Sequence, residues 1–124
     1  MKPREIKYKD GKLIFEDYAK REVSIREENY LKLMAVEAKY AYRSCLEECL
    51  TDPTEVWWEV KAKDGQDLKI YKYIKVYGNG YFVIFALVDE FLNFHLNNFY
   101  WFETSESEII DKLRFGIPVI SKLR

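Results

Sequence analysis

The chain has 124 residues, a formal net charge of −1, and 10 Tyr, 8 Phe and 3 Trp. A chain of this length fits one domain and can bury a core without covalent staples. Its balanced charge excludes a generic polyanion binder, which needs many uncompensated Lys and Arg residues. No apolar stretch approaches a membrane span or a signal peptide, so we expect a cytoplasmic protein without membrane contact.

The first 23 residues have the pattern of a hairpin. Asp10-Gly11 is a hairpin turn signal, and short apolar runs lie on both sides of it. We predict that residues 1–23 form an N-terminal hairpin or appendage. Residues 24–124 would then form the single main domain.

One long helix is predicted over residues 24–50. Its first residues, Ser24-Ile25-Arg26-Glu27, match a capping box. Apolar residues then recur at three- and four-residue intervals, and no Gly or Pro interrupts the run. The helix would end before Pro53, because the residue that precedes a proline resists helical geometry.

The two cysteines of the chain, Cys45 and Cys49, lie four residues apart in this helical segment. Neighbouring thiols on one helix face are poorly oriented for a disulfide, so both are predicted to be small buried side chains. With one His and two Cys, the chain lacks the usual set of soft metal ligands. We therefore expect no metal and no cofactor.

Four strands are predicted to follow the helix, over residues 55–62, 68–77, 81–88 and 98–103. In the second strand the apolar residues alternate with a tyrosine-rich set, which we expect to face away from the helix. The tyrosine-rich set includes Tyr71, Tyr73, Lys75 and Tyr77. Lys72 falls among the apolar set, which is an anomaly that a β-bulge or the border of a pocket would explain.

The last 20 residues predict a short helix and an edge strand. Ser105-Glu106-Ser107-Glu108 is a second capping box, and Gly116 suits the end of the helix that it opens. Residues 117–120 would close the sheet. The predicted fold is α+β, with a long N-terminal helix packed on a four- to five-stranded antiparallel meander sheet and a short C-terminal helix.

Four motifs of the second half occur in a specific order. They are the helix-to-strand junction Leu50-Thr51-Asp52-Pro53-Thr54-Glu55-Val56-Trp57, then Tyr73-Ile74-Lys75, then the apolar run 81–88, and finally Phe102-Glu103-Thr104 followed by a short helix and Leu113-Arg114-Phe115-Gly116. In this order and spacing the chain resembles the barnase–EndoU–colicin–RelE-like nuclease superfamily, in particular its phage-associated branch. The resemblance covers roughly residues 40–120.

The resemblance implies a ribonuclease-like domain of phage or mobile-element type, acting as an effector or toxin. Such enzymes cleave RNA without a metal, by attack of the 2′-hydroxyl on the adjacent phosphate. RNA is the expected partner, and an inhibitor or immunity protein and a homodimer are compatible with this function. Two alternatives stay open: a non-catalytic RNA- or protein-binding module on the same fold, and an unrelated helix-plus-meander domain.

The resemblance also directs attention to four candidate catalytic residues. The sole histidine, His95, lies in a predicted loop, so a pair of catalytic histidines is impossible. Instead, Lys75 would contact phosphate, Arg114 would stabilise transition-state charge, Thr104 would donate to a phosphate and Glu55 would act as a base. Each has a structural alternative: a solvated lysine, a charge at a helix end, a helix cap and a residue that satisfies the start of a strand.

Four further residues are candidates for substrate binding. Tyr71, Tyr73 and Tyr77 would form a platform on which unpaired bases stack, with Lys72 on the RNA backbone. Alternatively, the N-terminal hairpin covers the tyrosines as a second small core, and Lys72 extends past the sheet edge into solvent. The three tryptophans are interpreted as packing residues.

Overall fold

The computed structural model describes residues 7–35 and 43–121, which form eight strands and three short α-helices. The strands are β1 Lys7–Lys9, β2 Lys12–Glu16, β3 Glu22–Arg26, β4 Glu55–Lys63, β5 Gln66–Tyr77, β6 Gly80–Val88, β7 Phe94–Glu103 and β8 Ile117–Ser121. The helices are α1 Glu27–Ala35, α2 Arg43–Thr51 and α3 Ser107–Leu113. No helix in these residues is long and apolar enough to cross a membrane.

All eight strands belong to one mixed sheet, in the order β1-β2-β3-β7-β6-β5-β4-β8. β4 to β7 are antiparallel neighbours, and β8 is antiparallel to β4 at one edge. The β1–β2 hairpin joins the sheet through β3, which is antiparallel to β2 and parallel to β7. The prediction of a four- to five-stranded antiparallel meander is therefore wrong, because the N-terminal strands extend the sheet beyond β7.

The prediction of one long helix starting at residue 24 is also wrong. Ser24 lies inside β3, and its neighbours Val23 and Ile25 are 0% and 5% exposed in a period-two pattern. Pairing with a strand on each side outweighs the local capping-box signal at this point. Where the long helix was predicted, the structure has two helices of nine residues each, α1 and α2, and residues 36–42 lie outside the described part of the chain.

The last long strand begins earlier than the sequence predicts. The prediction places its start at residue 98, but β7 begins at Phe94 and pairs with β6 along its length. In this pairing Phe85 lies opposite Asn98, but the next residue, Ala86, lies opposite Leu96, so one residue of β7 has no partner in β6. This bulge inserts one residue into β7, so the alternation that marks a strand is broken in the sequence.

The two faces of the sheet are covered by different helices, and we name them after these. On the α2 face, the main core contains Leu46, Cys49 and Leu50 of α2 with Tyr73 and Phe82 of the sheet. On the α3 face, a small core forms around Ile74, Val83 and Ile110. The tyrosine-rich side of β5 thus faces α2, which reverses the orientation predicted from the sequence.

Candidate functional site

A buried ion pair joins Glu55, the first residue of β4, to Arg114, which follows α3. Arg114 Nε donates to Glu55 Oε1 at 2.9 Å and Arg114 Nη2 donates to Oε2 at 2.8 Å. Glu55 is 1% exposed, and Trp57 Nε1 also donates to its Oε1 at 3.0 Å. Three N–H donors therefore hold a carboxylate that water barely reaches, which fixes its orientation on the α3 face.

Arg114 reaches this position because α3 ends beside β4. Its backbone N–H donates to the carbonyl of Ile110, and its Nη1 donates to Asp111 Oδ1 at 2.7 Å. The hydrogen bonds to Glu55 raise the pKa of Arg114. The guanidinium thus carries a permanent positive charge between one buried and one exposed carboxylate.

Lys72 lies in the same neighbourhood and is almost fully buried, at 2% exposure. Its Nζ donates to Glu59 Oε1 at 3.1 Å and to the backbone carbonyl of Phe115 at 2.9 Å. The Phe115 ring lies 6.0 Å from Nζ and is itself 64% exposed. Lys72 therefore fastens the segment that carries Arg114 onto the sheet.

Aromatic side chains lie beside these charged groups on the α3 face. The ring centroids of Phe85 and Tyr100 are 5.9 Å apart, and those of Tyr100 and Phe102 are 6.1 Å apart. Tyr100 is 38% exposed, and Asn98 Nδ2 donates to its hydroxyl at 2.7 Å. A partly exposed guanidinium can bind an anion and partly exposed rings can stack on bases, whereas the buried carboxylate of Glu55 orients the guanidinium.

The tyrosines predicted as a stacking platform lie on the other face. Tyr73 is 0% exposed and donates its hydroxyl to Asp17 at 2.8 Å, and its burial raises its pKa. Tyr71 packs against Phe94 at 4.8 Å between centroids. Tyr77 donates to Glu48 Oε2 of α2 at 2.7 Å. A fully buried ring such as that of Tyr73 has no face on which a base can stack.

The other two predicted catalytic residues are Lys75 and Thr104. Lys75 points to the α2 face, where its Nζ donates to the carbonyl of Asp52 at 2.7 Å and lies 3.2 Å from Oδ2 of the same residue. Thr104 is exposed at the start of the 3-10 turn Thr104–Glu106, between β7 and α3. The structure therefore brings together Glu55, Arg114 and Lys72 but not Lys75.

Sequence reasoning missed several groups that surround this pair. Trp57 and Glu59 share the side of β4 that carries Glu55, because strand side chains alternate. The two-residue spacing of Glu55, Trp57 and Glu59 is visible in the sequence. The contacts of Asp111 with Arg114 and of Phe115 with Lys72 depend on how α3 packs on the sheet, which the sequence does not show. The anomalous place of Lys72 among apolar residues was the clearest signal, and its buried contacts with Glu59 explain it.

A second polar cluster lies where β6 turns into β7. His95 Nε2 is 3.0 Å from Asp89 Oδ2, and the hydrogen bonds to His95 and Asn93 lower the pKa of Asp89 to about 2. Ser24 of β3 lies opposite His95 in the parallel pairing of β3 with β7. Among residues 7–35 and 43–121, no group of three or more His, Cys, Asp or Glu side chains is placed to hold a metal ion.

Comparison with known proteins identifies a family. The sequence model of a family described as phage-Barnase-EndoU-ColicinE5/D-RelE like nuclease 2 matches residues 3–119. The match extends the resemblance of the second half to the N-terminal strands. No curated protein and no solved structure matches the chain.

Proposed function

Because the chain belongs to the phage-Barnase-EndoU-ColicinE5/D-RelE like nuclease 2 family, we propose that it cleaves RNA without a metal at the Glu55–Arg114 pair. The observation that supports this site is the bidentate contact of these two residues, at 2.9 and 2.8 Å, on a buried part of the α3 face. The Arg114 side chain is 23% exposed, so a fixed cation that can bind a phosphate and stabilise its charge, which this reaction requires, is open to the substrate.

In the proposed reaction, water takes the proton of the RNA 2′-hydroxyl, because Glu55 is 1% exposed and its carboxylate is occupied by Arg114 and Trp57. Glu55 instead holds the guanidinium of Arg114 in position. The 2′-oxygen then bonds to the adjacent phosphorus while the bond from phosphorus to the 5′-oxygen breaks, and the leaving oxygen takes a proton from water. Arg114 stabilises the charge that develops on the non-bridging phosphate oxygens. The products are a 2′,3′-cyclic phosphate and a free 5′-hydroxyl.

Lys72 has a positioning role in this proposal. It is 2% exposed and binds the Phe115 carbonyl at 2.9 Å, so it acts on the residue next to Arg114 rather than on the substrate. Glu59, at 3.1 Å, balances its charge. Lys75 and Tyr73 have no part in the site, because they face α2.

The test is incubation with labelled single-stranded RNA in the presence of a chelator, followed by analysis of the product ends. We expect cyclic phosphate ends from the wild type. Arg114→Ala should lower the rate roughly 10²–10³-fold, the range for loss of one group that stabilises transition-state charge. Glu55→Gln should also lower the rate, because Arg114 loses its charged partner. Lys75→Ala is the matched control, since it removes a lysine that is ion-paired on the opposite face, and its rate should stay within about twofold.

Three outcomes would contradict the proposal. Cleavage that requires an added metal ion would exclude the metal-independent reaction. Undiminished cleavage by both Glu55→Gln and Arg114→Lys would exclude the site. Salt-sensitive RNA binding without any cleavage would favour the alternative function, a non-catalytic RNA-binding module on the same fold.

A further inference from the structure

The turn between β6 and β7 exposes two adjacent large apolar side chains. Phe91 is 78% exposed and Leu92 is 68% exposed. Leu92 also has φ +63°, in the left-handed region that a leucine adopts only at an energetic cost. Exposed apolar residues scattered singly are ordinary, whereas adjacent ones on strained backbone are typical of an interaction site. We call Phe91 and Leu92 the apolar tip.

The carboxylate of Asp89 holds this turn in one conformation. Its Oδ1 accepts hydrogen bonds from the backbone N–H groups of Phe91 and Asn93, both at 2.9 Å. Its Oδ2 accepts one from Asn93 Nδ2 at 3.2 Å and lies 3.0 Å from His95 Nε2. The backbone N–H of Leu92 donates to the carbonyl of Asp89 at 3.1 Å. The apolar tip is therefore pre-formed, so binding it removes little conformational entropy.

A cavity of about 360 Å³ opens between α1 and the strands β3 and β7 of the same chain. Its apolar lining includes Ile25 and Leu96, which are each 5% exposed, and the half-buried Leu33. Its volume is within the range of pockets that take up apolar groups, roughly 300–1,000 Å³. The exposed polar side chains at its rim are those of Asn29, Lys32 and Asn97.

The apolar tip and the cavity are complementary in charge as well as in polarity. Glu90, which is exposed, precedes the tip, and the exposed Lys32 lies at the rim of the cavity. A carboxylate beside the inserted group and an ammonium beside the cavity favour one orientation of the contact.

The apolar tip is unable to enter the cavity of its own chain. Both lie along β7, which begins two residues after Leu92 and lines the cavity with Leu96 and Asn97. Pairing with β6 keeps this strand extended, so Leu92 and Asn97 are held about 16 Å apart, at roughly 3.3 Å per residue. A two-fold axis midway between them would place the tip of each copy at the cavity of the other, which is an isologous contact.

From this arrangement we propose that the protein forms a two-fold symmetric homodimer in which the apolar tip of each chain binds the cavity of the other. Phe91 and Leu92 enter the apolar cavity, and Glu90 pairs with Lys32 at its rim. The contact lies beside β3 and β7, whereas Arg114 contacts the first residue of β4 on the α3 face. The dimer therefore leaves the candidate nuclease site accessible, and the proposal goes beyond the proposed function.

The test is the molar mass in solution, measured by sedimentation equilibrium over a series of protein concentrations. One chain has a mass of 14.9 kDa, and the wild type should approach twice that mass as its concentration rises. Phe91→Ala should raise the dimer Kd at least roughly tenfold, as expected for loss of an aromatic anchor from each of two contacts. Ile109→Ala is the matched control, because Ile109 is 41% exposed on α3, away from the tip and the cavity, and its Kd should stay within about twofold.

Reversal of the two charges tests the orientation of the contact. Glu90→Lys and Lys32→Glu should each weaken the dimer, because each places like charges together at the rim. The double variant should recover most of the lost affinity, since it restores opposite charges at the same place.

Leu92→Gly separates a lost contact from a damaged fold. Glycine adopts φ +63° without steric cost, so the urea midpoint of this variant should equal or exceed that of the wild type. Its dimer should nevertheless be weaker, because an apolar side chain of the tip is missing.

The proposal is overturned if the wild type keeps the mass of one chain throughout the series, if Phe91→Ala dimerises like Ile109→Ala, or if the double charge reversal recovers no affinity. A wild type that stays monomeric and sediments with phosphatidylcholine vesicles only when Phe91 is present would also overturn it, and would assign the tip to a lipid surface. RNA cleavage by a monomeric Phe91→Ala would leave the proposed function intact, so the two proposals fail separately.

Discussion

Arg114 binds two carboxylates of very different exposure. The side chain of Glu55 is 2% exposed and that of Asp111 is 69% exposed. An exposed ion pair contributes about 0–1 kcal/mol to stability, whereas a buried pair is costly to break. In the proposed reaction, a phosphate would therefore displace Asp111 from Nη1 while Glu55 keeps the guanidinium in place.

Replacement of Asp111 should consequently favour substrate binding. Asp111→Asn is expected to tighten several-fold the Kd for a 2′-O-methyl RNA oligonucleotide, which cannot be cleaved because its 2′-oxygen is blocked, since the phosphate no longer competes with a carboxylate. The free energy of unfolding should change by less than about 1 kcal/mol. Glu108→Gln removes the same charge from the first turn of α3 and is the control for a general charge effect. Equal gains from both variants would show that Asp111 does not compete at Arg114.

Asp17 is the second buried carboxylate whose contacts can be tested. It is 1% exposed and accepts bonds at 2.9 Å from Arg21 N and Nε, at 2.9 Å from Ala19 N, and at 2.8 Å from the Tyr73 hydroxyl. Asp17→Ala should lower the free energy of unfolding by about 3–5 kcal/mol, because it leaves several donors unpaired. Tyr73→Phe removes one of them and should cost about 1–2 kcal/mol in urea unfolding. A loss below about 1 kcal/mol for Asp17→Ala would contradict this assignment.

Asp89 gives the fold a dependence on pH with a defined sign. Its bonds to His95 and Asn93 lower its pKa from 3.8 to about 2 in the folded chain. A lowered pKa means that the carboxylate stabilises the fold above pH 3.8 and that this contribution is lost as the pH falls towards 2. Urea midpoints of the wild type and Asp89→Asn should differ more at pH 5 than at pH 2. A constant difference across this range would contradict the prediction.

At the scale of elements, sequence patterns predicted the turns and strands that depend on neighbouring residues. The Asp10-Gly11 turn, the extended run of β6 and the edge strand β8 were all visible in the sequence, and the structure contains each of them. The capping-box motif at Ser24 was overruled by strand pairing on both sides. The start of β7 could not be placed by pattern alone, because one inserted residue in a bulge breaks the alternation of an entire strand.

The segment that joins α3 to β8 depends on a single glycine. Gly116 has φ +104°, and a Cβ there would meet the carbonyl oxygen of Trp58 and lie 3.0 Å from Glu59 Cβ. Gly116→Ala should therefore destabilise the fold by about 2–4 kcal/mol and reduce RNA cleavage, because Phe115 and Arg114 shift with it. Gly65→Ala is the control, because Gly65 has φ +75° and a Cβ there would meet nothing within 4 Å. It should lower the free energy of unfolding only by the cost of a positive φ in alanine, about 1–2 kcal/mol. Equal losses of stability and equal activities in the two variants would contradict this role.

At the scale of the whole molecule, the sequence could not decide which side of the sheet each helix covers. Alternation in β5 correctly places Tyr73 and Ile74 on opposite faces of the sheet. Both the tyrosine-rich set and the aliphatic set can be buried, and in the structure the tyrosine rings pack on the α2 face. Glu55 and Arg114 came from the family resemblance, since 59 residues separate them and no periodicity links them. The parallel pairing of β3 with β7 is equally non-local, so the strands before residue 24 read as a separate hairpin.

Because β2 pairs with β3 and β3 pairs with β7, removal of the first 16 residues tests whether the sheet needs its N-terminal strands. Leu13 and Phe15 of β2 are 7% and 5% exposed in the main core, and the Phe15 ring lies 6.0 Å from that of Tyr30. Loss of one such buried side chain costs about 3–5 kcal/mol, out of a typical total of about 5–15 kcal/mol. Phe15→Ala should therefore lower the urea midpoint strongly, and deletion of residues 1–16 should abolish the cooperative transition followed by circular dichroism. A hairpin that is only an appendage would instead leave residues 17–124 with the midpoint of the full chain, and that result would show that β2 is dispensable to the sheet.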